Sequence, residues 1–229
     1  MTEPSKHLRH IRSYVRREGR MTAAQRRALE DLWPRFGIAE EESPLDFDVV
    51  FGRHAPLILE IGFGNGESLR AMAVANPQRN YLGVEIHRPG IGRLLLDLEN
   101  TDTTNVRVIC GDAREVLTSR IPDGSLHGVH LFFPDPWPKS RHHKRRLVQA
   151  DFAELMRCKL ALGGYLHMAT DWEHYAEHMM HVMTQAPGFE NSAAVGNYAP
   201  RPNYRALTKF ERRGIRLGHG VWDLIFLRT

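Results

Sequence analysis

The chain has 229 residues, 42% of them hydrophobic, with a formal charge of +4. Those values support one large domain, or one domain with an extension, and exclude wholesale disorder. No window approaches the ~18 apolar residues of a membrane span, the N-terminus lacks the apolar region of a signal peptide, and the two cysteines, Cys110 and Cys158, form neither a zinc signature nor a disulfide framework. Both cysteines are expected to be small buried residues, and a cytoplasmic location is expected. Residues 1–45 read as a basic arm followed by a short helix, and residues 46–229 as the main domain. The arm's stretch "KHLRHIRSYVRREGR" carries Lys6, Arg9, Arg12, Arg16, Arg17 and Arg20 against one acid, Glu18. Thr22 and Gln25 form the ends of a capping box that opens a helix ending near Pro34. From Leu57 the pattern alternates. "LILEIG", "YLGVEI", "NVRVICGD", "LHGVHLFFP" and "GGYLHMATD" read as strands. Helices are predicted between them at "ESLRAMAVAN", Pro89 to Leu98 and Lys144 to Leu160, with another from Trp172 to Gln185. This alternation predicts an α/β fold with a doubly wound, mostly parallel, Rossmann-like sheet. "LTKFERRGIRL" and "VWDLIFLR", flanking Gly218-His219-Gly220, predict a closing antiparallel hairpin at the C-terminus.

The strands share an acidic end. Glu60 and Glu85 end the first two, and Asp112, Asp135 and Asp171 follow the next three. Ligands of open α/β sheets bind outside those ends, where the strand order reverses. Each acid taken alone also fits a turn or a helix cap; five together point to a ligand. "GFGNG" places Gly62, Gly64 and Gly66 after the first strand, where a ligand can approach the backbone. A dinucleotide fingerprint needs its third glycine at position 67, which is Glu67. A nucleoside-bearing ligand without a pyrophosphate fits better, with Glu85 accepting hydrogen bonds from ribose hydroxyls. S-adenosylmethionine, with its sulfonium and ammonium, suits such a rim.

In "FFPDPWPK", Pro134, Pro136 and Pro138 stiffen the chain around Asp135. A carboxylate held this way suits an in-line displacement, whose rate depends on positioning. Trp137 either stacks on a base or packs as an indole at the edge of the core. The basic run Lys139, Arg141, His142, His143, Lys144, Arg145 and Arg146 reads either as a solvated helix start or as a grip on phosphates. Positive charge at a helix N-terminus opposes the helix dipole, which favours the second reading. His174, His178 and His181 recur at helical spacing without an H-E-x-x-H pattern, so no metal is expected.

"LEIGFGNG", "GVEIHRPG", "FFPDPWPKSRHHKRR", "MATDWEHYAEHM" and "YRALTKFERRG" resemble, in order, the bacterial tRNA (guanine-N7-)-methyltransferases. The likeness runs from about residue 13 to the end; Ser140 departs from it, standing where many members carry a basic residue. The resemblance implies a class I methyltransferase fold. It implies methyl transfer from S-adenosylmethionine to N7 of a guanine in the tRNA variable loop, guanosine 46. It further implies that Glu60, Glu85 and Asp112 bind the cofactor and that Asp135 touches it as the active-site residue. Lys139, Asp171, Thr208, Lys209, Phe210 and Glu211 would bind substrate, and Arg141 to Arg146 would contact RNA. Glu211 and Asp171 compete for the guanine Watson–Crick edge, and Phe210 is a candidate stacking platform. The resemblance allows a monomer or a homodimer. Two other readings compete: a small-molecule methyltransferase, and a non-catalytic RNA-binding module.

Overall fold

Leu57–Ile61 forms β1, which is buried along its whole length because both faces of the sheet are covered. In the computed structural model, which describes residues 14, 19–41, 43–99, 101–205, 207, 211 and 220–229, β1 lies within a seven-stranded sheet. The other strands are β2 (Asn80–Glu85), β3 (Val106–Cys110), β4 (Leu126–Phe132), β5 (Leu160–Thr170), β6 (Phe189–Asn191) and β7 (Trp222–Arg228). Their order is β3-β2-β1-β4-β5-β7-β6. The first five run parallel, and β7 pairs antiparallel with both β5 and β6. The chain steps outward from β1 to β2 and β3, then crosses back to β4. The reversal leaves a crevice beyond the ends of β1 and β4.

Helices cover both faces. α1 (Ala23–Asp31), α2 (Trp33–Phe36), α4 (Glu67–Ala75) and α5 (Arg88–Glu99) bury Ala28, Phe36, Leu69, Ile91 and Leu94 against one face. On the other, α3 (Phe47–Phe51), α6 (Ala113–Ser119), α7 (Ala150–Lys159) and α8 (Glu173–Gln185) bury Phe51, Leu117, Phe152 and Met179. The capping box is present: Gln25 N donates to Thr22 Oγ1 at 3.2 Å and Thr22 N donates to Gln25 Oε1 at 2.9 Å. Gln25 Nε2 also donates to Pro89 O at 3.0 Å, tying α1 to the start of α5.

The structure departs from the expected pattern in three places. The single helix expected from Lys144 to Leu160 is split into a 3-10 turn at Ser140–Arg145 and α7 at Ala150–Lys159. The break follows from Arg146, which leaves the helical region at φ −57°, ψ 134° and turns inward. Cys110 and Cys158 form no disulfide and are half-buried, not fully buried. The C-terminal antiparallel pair is β6 with β7; the segment expected to lead into it, residues 207–219, is described only at Leu207 and Glu211. Most of the basic arm, and Thr208, Lys209 and Phe210, also lie outside the described residues. Among the described residues no helix is long and apolar enough to cross a membrane, and no cluster of His, Cys, Asp and Glu could hold a metal ion.

Candidate active site

A cavity of about 260 Å³ opens at the reversal of strand order. Glu85, Asp112 and Asp135 line it, together with Gly62 and the Phe132–Pro134 turn. Gly62 and Gly64 have φ of 69° and 58°, the left-handed region that favours glycine. A Cβ built on either would meet nothing within 4 Å, so their outer side is an open cradle. The Glu85 carboxylate holds this loop to β2: Oε2 accepts from Gly64 N at 2.8 Å, and Oε1 accepts from Ile86 N at 2.7 Å and His87 N at 2.9 Å. Asp112 caps α6, accepting from Arg114 N at 2.8 Å. Asp112 is thus a helix cap that also lines the cavity.

Glu60 sits one residue before Ile61, which lines the cavity, and is itself 2% exposed. Its Oε2 has no hydrogen-bond partner. Burial, reinforced by the nearby Glu85 charge, pushes its pKa up from the ordinary 4.5 to about 8. Its raised pKa keeps this buried acid protonated at neutral pH, and a cation bound in the cavity would favour its ionised form. The folded-state value lies above the unfolded one, so between those two values the folded chain binds more protons than the unfolded chain. Thermal stability of the ligand-free protein is therefore expected to fall as pH rises from about 5 to about 8 and to level off beyond. Melting curves across that range should show the slope in the wild type and a flatter profile in Glu60→Gln.

Beyond β4 the chain is strained. Phe133 and Trp137 adopt φ of 53° and 46° without being glycine, each costing about 1–3 kcal/mol. Three contacts hold the turn. Phe133 N donates to Ala169 O at 2.7 Å, and Arg146 Nε donates to Pro136 O at 2.9 Å. The Arg145 guanidinium lies 4.9 Å from the Trp137 ring centroid. Asp135, exposed, is carried at the crest between the two strained residues.

A family described as "Putative methyltransferase" matches residues 54–224. The tRNA (guanine-N(7)-)-methyltransferase of Aeromonas hydrophila subsp. hydrophila is 59% identical over 227 residues, covering 99% of this chain and 96% of that protein. The protein of the same name from Vibrio cholerae serotype O1 is 57% identical over 229 residues, covering 100% and 96%. The chain belongs to the tRNA (guanine-N(7)-)-methyltransferase family. Among solved structures, the 16S rRNA methyltransferase KamB superposes with a TM-score of 0.59 at 14% identity, over 83% of this chain and 96% of that one. The aminoglycoside resistance methyltransferase NpmB1 gives 0.54 at 12% identity, over 80% and 92%. At such identity the likeness is one of fold, and the methyltransferase has the Rossmann-like class I architecture expected from its strand pattern.

In the methyltransferase, Lys139, Arg141, Lys144 and Arg145 are exposed along the 3-10 turn. Partial burial and the cations Arg141 and Arg145 hold the His142 pKa below its ordinary value, so lysine and arginine carry the charge of this patch at neutral pH. Arg146 corrects the expectation of RNA contact. It is 2% exposed, its Nη2 donates to His174 Nδ1 at 3.1 Å, and its guanidinium lies 4.8 Å from the Tyr175 ring. It braces the proline loop from inside. His178 serves the same wall, donating from Nε2 to Val148 O at 2.9 Å. Trp137 spends one face on Arg145 and meets His142 edge-on at 5.8 Å.

Asp171 is exposed just beyond β5. Glu211 is 3% exposed, and both its oxygens accept from Arg205 at 2.8 Å. Sequence reasoning missed Tyr14, which lines the cavity. It also missed Gly90, whose missing side chain leaves room for the Gly64 carbonyl. The small residue in "HRPG", directly after an acidic strand end, was the available signal.

Proposed function

We propose that the enzyme transfers a methyl group from S-adenosylmethionine to N7 of guanosine 46 in the variable loop of tRNA. The observation that carries this reading is the strained loop, which fixes Asp135 at the cavity and continues directly into an exposed basic turn. The names of relatives aligned over nearly the whole chain support it.

Gly62 and Gly64 would cradle the cofactor, Glu85 would accept its ribose hydroxyls, and Glu60, Asp112 and Asp135 would border its cationic end. When bound, that cofactor supplies an electrophilic methyl on a positively charged sulfur. N7 of guanine has a free lone pair and no proton to lose, so Asp135 need not act as a base. Its fixed negative charge instead opposes the positive charge that develops on the purine. Asp171, exposed at the end of β5, would accept from N1 and N2 of a guanine presented out of its stack. Lys139 would neutralise substrate phosphate beside the loop. Arg141, Lys144 and Arg145 would grip the RNA backbone, and the basic N-terminal arm ahead of α1 would add a second contact.

The test is to combine the protein with unmodified tRNA and methyl-labelled cofactor and to map the label by cleavage at N7-methylguanine. Label in the variable loop is expected; label confined to small molecules defeats the reading. In the same system Arg145→Ala should weaken tRNA binding across all sequences. It should also reduce the slope of log affinity against log salt by about one. An unchanged slope would remove Arg145 from the phosphate contacts.

A further inference from the structure

Arg205 is 1% exposed and lies in the "YRALTKFERRG" segment, three residues before Thr208. Its guanidinium forks between two carboxylates. Nη1 and Nη2 donate to the two oxygens of Glu211, each at 2.8 Å. Nε and Nη2 donate to the two oxygens of Asp223, at 2.6 and 2.8 Å. Burial pulls the Arg205 pKa down, but the bonds to Glu211 and Asp223 outweigh it, so the guanidinium stays charged. Asp223 is further bonded to His167, whose Nε2 lies 2.7 Å from Oδ1. Burial keeps His167 below its ordinary pKa despite that carboxylate. It is therefore neutral, donating to Asp223 and accepting from the Tyr204 hydroxyl at 3.0 Å through Nδ1, a tautomer assigned from the network.

This clip reaches one wall of the candidate site. Asp223 pairs across the sheet with Ala169, the residue whose carbonyl accepts from Phe133 N. Arg205 also lies 5.9 and 5.8 Å from the Phe132 and Phe133 rings, at the base of the turn that carries Asp135. On its other side it holds the chain at Glu211. A buried ion pair is by itself weak support for stability, but a planar fork bonded at both ends sets geometry.

We propose that Arg205 is a positioning residue for methyl transfer, acting through Glu211 and the Phe132–Phe133 turn. The proposal rests on the tRNA reading above and deepens it, because it gives Glu211 and the turn that carries Asp135 one shared support.

The test is a double-mutant cycle with Arg205→Lys and Glu211→Gln, reading kcat, the KM for tRNA, cofactor Kd by calorimetry, and melting temperature. Each single variant should lower kcat at least about tenfold, since small displacements at a reacting centre are costly, while cofactor Kd stays within about twofold. The double variant should be no slower than the slower single, because both break one device. Additive losses would overturn the proposal, showing that Glu211 meets substrate independently. Loss of cofactor affinity and melting temperature in step with kcat would also overturn it, showing a merely structural role. Should Arg205→Lys fail to fold, Glu211→Gln still decides: unchanged kcat and KM rule the proposal out. Wild-type label in tRNA keeps the two readings distinct, because its absence removes the substrate assignment. Wild-type activity with unaffected variants removes only the role of Arg205.

Discussion

Asp135→Asn is expected to slow single-turnover methyl transfer by about 10²- to 10³-fold, the scale on which a preorganised electrostatic group acts. The substitution keeps the size of the side chain and removes its charge. Asp135 is exposed at the crest of its loop, so the fold should melt as in the wild type. Cofactor affinity should change only a few-fold, because Glu60, Glu85, Asp112 and the glycine cradle remain. The strain at Phe133 and Trp137, with Arg146 bracing Pro136 from below, indicates that the protein holds this carboxylate in one place. A rate within threefold of wild type, with cofactor bound, would show that the charge of Asp135 contributes nothing to the reaction.

Gly90→Ala is expected to damage the cofactor side of the site more than its distance from the chemistry suggests. A Cβ at position 90 would lie 2.2 Å from the Gly64 carbonyl oxygen and 2.9 Å from its carbonyl carbon. These are backbone atoms, so no side chain can swing aside. Either α5 moves off the sheet or the glycine loop does, and the 2.8 Å bond from Gly64 N to Glu85 does not survive a large displacement. Overpacking of this kind costs about 1–3 kcal/mol, which in a chain of this size is a melting-temperature drop of roughly 2–4 °C per kcal/mol. Cofactor Kd should rise at least about tenfold. Calorimetry and cofactor titration check both, and wild-type values for both would mean that α5 does not pack against the loop as described.

Much of this arrangement is legible in the sequence because its causes are local. The Thr22–Gln25 capping box opens α1 as its spacing requires. Glu85 and Asp112 stand at strand ends, and the cavity forms there because alternating strands and helices leave room only where the order reverses. Less legible is what the charged residues do once folded. Arg145 and Arg146 are adjacent and chemically identical, yet one is exposed over Trp137 and the other is buried on Tyr175 and His174. The partners of Arg146 lie on α8, and no pattern within the basic run announces them. Glu211 has the same history: its partner Arg205 is near in sequence, but the burial of the pair depends on Asp223 in β7.

Periodicity, turn chemistry and glycine spacing act over a few residues, so the sequence alone determined the α/β order, the strand ends and the stiffened Asp135. A buried charge must instead find its counter-charge or hydrogen-bond partners wherever the fold delivers them. Only the tertiary structure therefore decided that Arg146, Glu211 and Arg205 are buried against partners, and that Arg141, Lys144, Arg145 and Asp171 remain exposed.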